Sequence, residues 1–398
     1  MLLVRSMKAL VLSGGGSKGA YQIGVWKALK KLNITFDIIT GTSVGALNGA
    51  LITQNTYKEA LYVWKHINLE MLFGKNTVDT KNNLKVMKMY SDNFLKNGGM
   101  EVKELEKLIS NSINYKKFYS SKINYGLVTY NLTTKKPLQI TKKDIPKELL
   151  TDYLMASASC YPAFQKKEIK GEKYIDGGFS DNLPINLALD MGADEIIAVD
   201  LNAPGLKQTP KKKVPTIVIK PNNRLTNFLN FNEEGSKRNI KLGYNDTLKV
   251  FDIIEGKKYS FKKGHINKNK KVHLETIEYI FNKIINSSKL VDNFKKILKL
   301  SPSNKEKIID QLLLNIMEKS AKTFSLDETK IYSYKAFNKN LKKALNKTLN
   351  NSANKNQEIV INFYNKIKDK KYKELRKDAL IMPIDFLKAL YLYSINEV

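Results

Sequence analysis

The sequence predicts an α/β fold built on a mostly parallel sheet, followed by a helical region. Three observations carry that expectation. Residues 8–12 are a short apolar run that enters a glycine-rich loop and then a helical stretch over 20–32. Residues 36–40 are a second such run, leading through Gly41-Thr42-Ser43-Val44-Gly45 into an Ala- and Leu-rich helical stretch over 44–51. Strand–helix–strand–helix order asks for parallel strands covered by helices on both faces. Beyond residue 222 strand-like runs become rare, and Lys/Asn-rich helical patterns dominate from His273 onward. One domain is therefore expected over 7–220 and a Lys-rich, mainly helical region over 221–398.

The elements between follow in order. Helical spacing recurs over 57–67, 83–96 and 100–109. Residues 123–131 read as a strand, paired in a hairpin with 137–140. A helix over 149–159 is closed by Tyr161-Pro162, and a hairpin of 164–169 with 173–175 feeds into Asp176-Gly177-Gly178. Residues 184–191 are helical, with Gly192 as C-cap. The apolar strand 195–200 ends in Asp200, and a Pro/Lys-rich loop over 207–213 precedes a strand at 214–219.

A chain of 398 residues holds one large domain, or a domain of about 200 to 250 residues with an appendage. Its single cysteine, Cys160, excludes intramolecular disulfides and any multi-Cys metal site, and reads as a buried spectator. The apolar run near the N-terminus is too short for a signal peptide, and no run of about 18 apolar residues exists, so a cytoplasmic protein is the expectation. The net charge of +30 is uneven: residues 1–200 carry 27 basic and 19 acidic side chains, residues 201–398 carry 41 and 19. Such asymmetry fits an anionic partner, a lipid surface or nucleic acid, or else a plainly solvated lysine surface.

Chemistry is concentrated in three places. Gly41–Gly45 is a G-x-S-x-G between a strand and a helix, the setting in which that pattern forms a nucleophile elbow, with Ser43 projecting from the top of a sheet. Gly14-Gly15-Gly16-Ser17-Lys18-Gly19 fits G-x-G-x-x-G, but the position where a dinucleotide fold needs an acid, at the end of the next strand, holds the elbow instead. It lacks the Gly-Lys-Ser/Thr of a Walker A loop. Backbone amides of Gly15 and Gly16 at a helix start suit an oxyanion hole facing Ser43. Lys18 is either an added positive charge, or phosphate ligand, or a solvated lysine. A serine nucleophile needs a base. His66 lies in an ordinary helical stretch, and His265 and His273 lie in or beside a Lys-rich tract, so none is favoured. Asp176, flanked by glycines that let the backbone turn, is the preferred base, with burial raising its pKa. Asp200 is the next candidate, or merely a strand-end cap.

These residues resemble the patatin-like phospholipase family. Its three marks stand here in the family's order: the oxyanion loop Gly14-Gly15-Gly16-Ser17-Lys18-Gly19, the elbow Gly41-Thr42-Ser43-Val44-Gly45, and Asp176-Gly177-Gly178. The Ala/Ser-rich stretch 156–164 and the segment from Asp176 to Leu201 are similar to the family's as well. The resemblance spans roughly residues 7–220 and is to the bacterial cytoplasmic members. It implies a three-layer α/β/α domain in which Ser43 is the nucleophile, Asp176 its base, and the glycine loop the oxyanion hole. It further implies hydrolysis of acyl esters of phospholipids or lysophospholipids, with no metal or cofactor and no nucleic-acid partner.

The rival expectations are an esterase or thioesterase acting on other acyl groups, and a catalytically silent membrane- or nucleic-acid-binding protein on the same fold. Residues 366–377 are basic and precede the apolar run 381–395. That tail is expected to dock on the helical region, an anionic membrane interface being the other reading, with peripheral membrane contact therefore open.

Overall fold

In the computed structural model, the described residues are 6–74, 82–284 and 302–397. The chain divides into two compact units, Met1–Val250 and Phe251–Val398.

The first unit is organised by a sheet with strand order β5-β6-β3-β2-β1-β7-β8. Its centre is β1 (Lys8–Leu12), β2 (Ile38–Thr42), β3 (Asn124–Asn131), β7 (Glu195–Val199) and β8 (Thr216–Ile219), all parallel along that path. β1 and β7 are near-continuous apolar runs, and every residue of β2 is buried, because helices cover both of their faces. β4 (Lys136–Thr141), β5 (Lys167–Ile169) and β6 (Glu172–Asp176) add antiparallel pairings on one side. β5 begins three residues later than the expected strand at 164. Met100 and Phe164 form an isolated bridge there, which holds the Phe164 segment against the non-helical stretch 98–102 instead.

Helices follow the strands as the crossover rule requires. α1 (Ala20–Lys31) joins β1 to β2, and α2 (Val44–Thr53) leaves β2. α3 (Tyr57–His66), α4 (Leu69–Phe73), α5 (Asn83–Asn97), α6 (Lys103–Ser112) and α7 (Tyr115–Ser120) follow before β3. α8 (Leu150–Ala158) precedes β5, and α9 (Ile185–Asp190) lies between β6 and β7.

The first unit continues past residue 220, where the texture of the sequence changes. α10 (Glu233–Val250) packs along α1. The crossing is close because both helices place glycine at the contact: a Cβ on Gly24 would strike the Ile240 carbonyl, and one on Gly243 the Tyr21 carbonyl. The buried Asp246 carboxylate then ties three segments together. It accepts from the Tyr21 hydroxyl at 3.1 Å and the Asn222 amide at 3.0 Å, and pairs with Lys249 at 2.9 Å.

The second unit has its own core, in which Phe261, Phe337, Leu341, Val360, Phe386 and Tyr391 are buried. Its last helix, Pro383–Glu397, buries Phe386, Leu387, Leu390, Tyr391, Leu392 and Ile395. The apolar tail is therefore docked within this unit. Among the described residues no helix is long and apolar enough to cross a membrane.

Candidate active site

β2 ends in a turn that the side chains alone could not make. Ser43, the N-cap of α2, sits at φ 55° and ψ −129°, a conformation that a residue with a Cβ rarely adopts. The turn closes because glycines flank it: a Cβ on Gly41 would meet the Gly45 carbonyl, and one on Gly45 the Leu12 carbonyl. The Ser43 amide donates to the Ser157 hydroxyl at 2.9 Å, and that hydroxyl donates to the Val128 carbonyl at 2.7 Å. A strained elbow is thus pinned from α8 and β3. Sequence reading passed over Ser157, a small residue in an Ala/Ser-rich helix.

The glycine loop is held against the same helix. Asn48 on α2 donates to the Gly19 carbonyl at 3.1 Å and to Gln22 at 2.8 Å, and accepts from the Trp64 indole at 2.9 Å. Gln22 in turn holds the Ser13 carbonyl at 2.8 Å. The Gly14 amide is used by the Asn182 carbonyl at 3.1 Å. Among the described residues, the Gly15 and Gly16 amides have no protein acceptor. Lys18 turns its ammonium to the carbonyls of Asn202 at 3.0 Å and Leu201 at 3.5 Å. Burial, then the nearby Arg224, lowers its pKa, with Asp200 opposing.

Asp176 ends β6 and caps the 3-10 turn Gly177–Phe179, its Oδ1 accepting the Gly178 amide at 2.8 Å. It is 7% exposed and Ser43 is 8% exposed. Burial pushes the carboxyl up to about 6, while hydrogen bonds from the Ser43 side chain and the Gly178 amide act the other way. Gly177 lies close under β3, where a Cβ would meet the Val128 carbonyl.

Ser43, Asp176, Gly15, Gly16 and Gly178 line one cavity of about 600 Å³. The rest of its wall is mostly apolar: Trp64 from α3, Leu72 from α4, Leu105 and Ile109 from α6, Leu154 from α8, and Phe164. Phe228, Leu229 and Phe231, beyond residue 220, also line it. Their segment is latched to the glycine loop, since the Ser17 amide donates to the Phe228 carbonyl at 2.9 Å and the Ser17 hydroxyl to the Asn227 carbonyl at 2.8 Å. The only signal for these residues in the sequence is a brief Phe-Leu-Asn-Phe run in a polar tract.

The remaining candidates lie elsewhere. Gly14, Lys18 and Gly19 are outside the cavity lining. Asp200 caps the Asn202 amide at 2.9 Å and pairs with Lys207 at 2.7 Å. The His66 ring contacts the Tyr62 carbonyl at the end of α3, and His265 and His273 belong to the second unit. Cys160, expected as a spectator in the core, is half-buried and lines the cavity. Burial, then the Asp176 charge, pushes its thiol up to about 12, so it stays protonated at neutral pH.

The family model described as "Patatin-like phospholipase" matches residues 10–189, a span that contains all three motifs. Residues 10–189 are a patatin-like phospholipase domain. Among curated relatives, the chain is 30% identical over 206 residues to patatin-like phospholipase domain-containing protein 7 of Rattus norvegicus, covering 51% of this chain and 14% of that protein. It is 27% identical over 207 residues to the lysophospholipase nte1 of Aspergillus terreus, covering 49% of this chain and 12% of that one. The patatin-like domain therefore aligns with only about a seventh of those relatives' length. Among solved structures, VipD from Legionella pneumophila is 16% identical with a TM-score of 0.35, over 98% of this chain and 90% of that one.

Proposed function

We propose that the first unit is a lipid acyl hydrolase that works through a Ser43–Asp176 dyad on acyl esters of phospholipids or lysophospholipids. The observation that carries this reading is the meeting of Ser43, a buried carboxylate poised near pH 6, and two unengaged glycine amides in one apolar cavity. The patatin-like phospholipase model and the lysophospholipase named among the relatives support an acyl-ester substrate.

In the proposed reaction the Asp176 carboxylate takes the Ser43 hydroxyl proton as Oγ bonds to the ester carbonyl carbon. The carbonyl π electrons move to oxygen, and the amides of Gly15 and Gly16 stabilise that charge. The C–O bond to the alcohol then breaks, and the alcohol leaves with the proton held by Asp176. In the second half Asp176 accepts a proton from water, which attacks the acyl-enzyme. Ser43 regains a proton as the fatty acid departs. An aspartate at its ordinary pKa of about 3.9 is a poor base, and burial raises Asp176 toward the range where it can accept this proton. The apolar walls take the acyl chain.

The deciding experiment is labelling with a fluorophosphonate, read by intact mass. The expected result is a single adduct on the wild type and none on Ser43→Ala. No adduct on a folded wild type in the presence of lipid vesicles would overturn the reading in favour of a silent binding protein.

A further inference from the structure

α5 is an amphipathic helix with apolar residues on two faces. Its inner face buries Val86 and Tyr90, and the Tyr90 hydroxyl donates to the carbonyl of the cavity-lining Leu229 at 3.0 Å. The Tyr90 ring also packs on Phe164, another wall residue, with centroids 6.2 Å apart. The outer face should then be polar. It is not. Leu84 is 82% exposed, Leu95 78%, Met87 44% and Phe94 37%. Their spacing of three, seven and one places all four on one side of the helix.

Beside that stripe stand Lys85, Lys88 and Lys96, all exposed, and none is ion-paired among the described residues. The patch extends through the Phe94–Tyr161 edge contact at 5.8 Å to Lys166, whose ammonium lies 4.7 Å over the Tyr161 ring. Asp92 is the one acid on the helix. Large exposed side chains next to unpaired lysines, on a helix whose other face packs behind the wall residues Leu229 and Phe164, match what an anionic lipid interface requires. The apolar stripe enters the acyl boundary and the ammonium groups meet the head groups.

We propose that the outer face of α5 docks the protein on an anionic bilayer. The docking surface rests on the lipid-hydrolase reading for its purpose, but not for its test. The full chain carrying Ser43→Ala is sedimented with vesicles of phosphatidylcholine alone or with 30 mol% phosphatidylglycerol added. Binding to the anionic vesicles is expected. It should fall at least roughly tenfold in Leu84→Ser/Leu95→Ser and, separately, in Lys85→Gln/Lys88→Gln/Lys96→Gln. Both sets of changes in the otherwise wild-type chain should leave turnover of a soluble butyrate ester within about twofold, because none of these residues lines the cavity. Failure of the wild-type surface to bind anionic vesicles, or undiminished binding by both variants, overturns the docking proposal. Absence of ester turnover with α5-dependent binding intact would instead overturn the hydrolase reading and leave the docking surface standing.

Discussion

The Ser43 amide is held by the Ser157 hydroxyl at 2.9 Å, so a strained strand-to-helix turn depends on a side chain 114 residues away. Ser157 is fully buried and spends its own proton on the Val128 carbonyl. Losing it leaves the buried Ser43 amide unpartnered in the core, at a cost of about 1–3 kcal/mol.

Ser157→Ala should therefore lower stability and let the elbow relax out of line. The expected kinetic signature is a kcat lower by roughly 10- to 100-fold with KM nearly unchanged, since the cavity walls are untouched. Fluorophosphonate labelling of Ser43 should slow in parallel. A variant that loses stability but keeps wild-type kcat would show that Ser157 serves only the fold.

The Asp176 carboxyl titrates near 6 and must be ionised to accept the Ser43 proton. kcat/KM should be flat above pH 7 and fall about tenfold per unit below pH 6, with the inflection moving or vanishing in Asp176→Asn. Stability carries the opposite sign. A pKa raised in the folded state means the charged form costs stability, a cost absent below the unfolded value and complete once pH has risen through 6. Asp176→Asn should lose activity by about 100- to 10,000-fold. It should gain up to about 3 kcal/mol in stability at pH 8, a gain that disappears by pH 4. Unfolding curves of both proteins at the two pH values decide this, and equal differences at pH 4 and pH 8 would falsify it.

Ile109 lines the cavity from α6 and is 6% exposed. Ile109→Phe narrows the space for an acyl chain, at an overpacking cost of about 1–3 kcal/mol. The ratio of palmitoyl to butyryl ester turnover should drop by roughly tenfold or more, because each methylene denied burial is worth about 0.8 kcal/mol. An unchanged ratio would place the acyl chain along another wall.

The segment 225–231 and α10 belong physically to the first unit. A chain ended at residue 220 should fail to fold cooperatively, because it loses the partner of α1 and the acceptor for the Ser17 amide. A chain ended at 250 should show a single thermal transition and retain ester turnover. Circular dichroism and the soluble-ester assay separate the two outcomes.

The central sheet was legible because its strands are short apolar runs set beside glycine loops, and local pattern decides such elements. The order of the glycine loop, the Ser43 elbow and Asp176-Gly177-Gly178 could likewise be read in one dimension, as could the docking of the apolar tail in the helical region. What could not be read depends on contacts between residues far apart in the chain. No local rule marks Ser157 among the alanines of its helix, or sets Phe228 and Phe231 against a loop some 210 residues earlier. Cys160 reads as core from its neighbours, yet the cavity passes beside it. The extent of the first unit was hidden for the same reason. Two glycines, Gly24 and Gly243, let α1 and α10 touch backbone to backbone, and a missing side chain leaves no hydrophobic pattern to find. Burial of Asp176, which sets its proton affinity, is a property of the whole packed unit, and only the tertiary structure decided it.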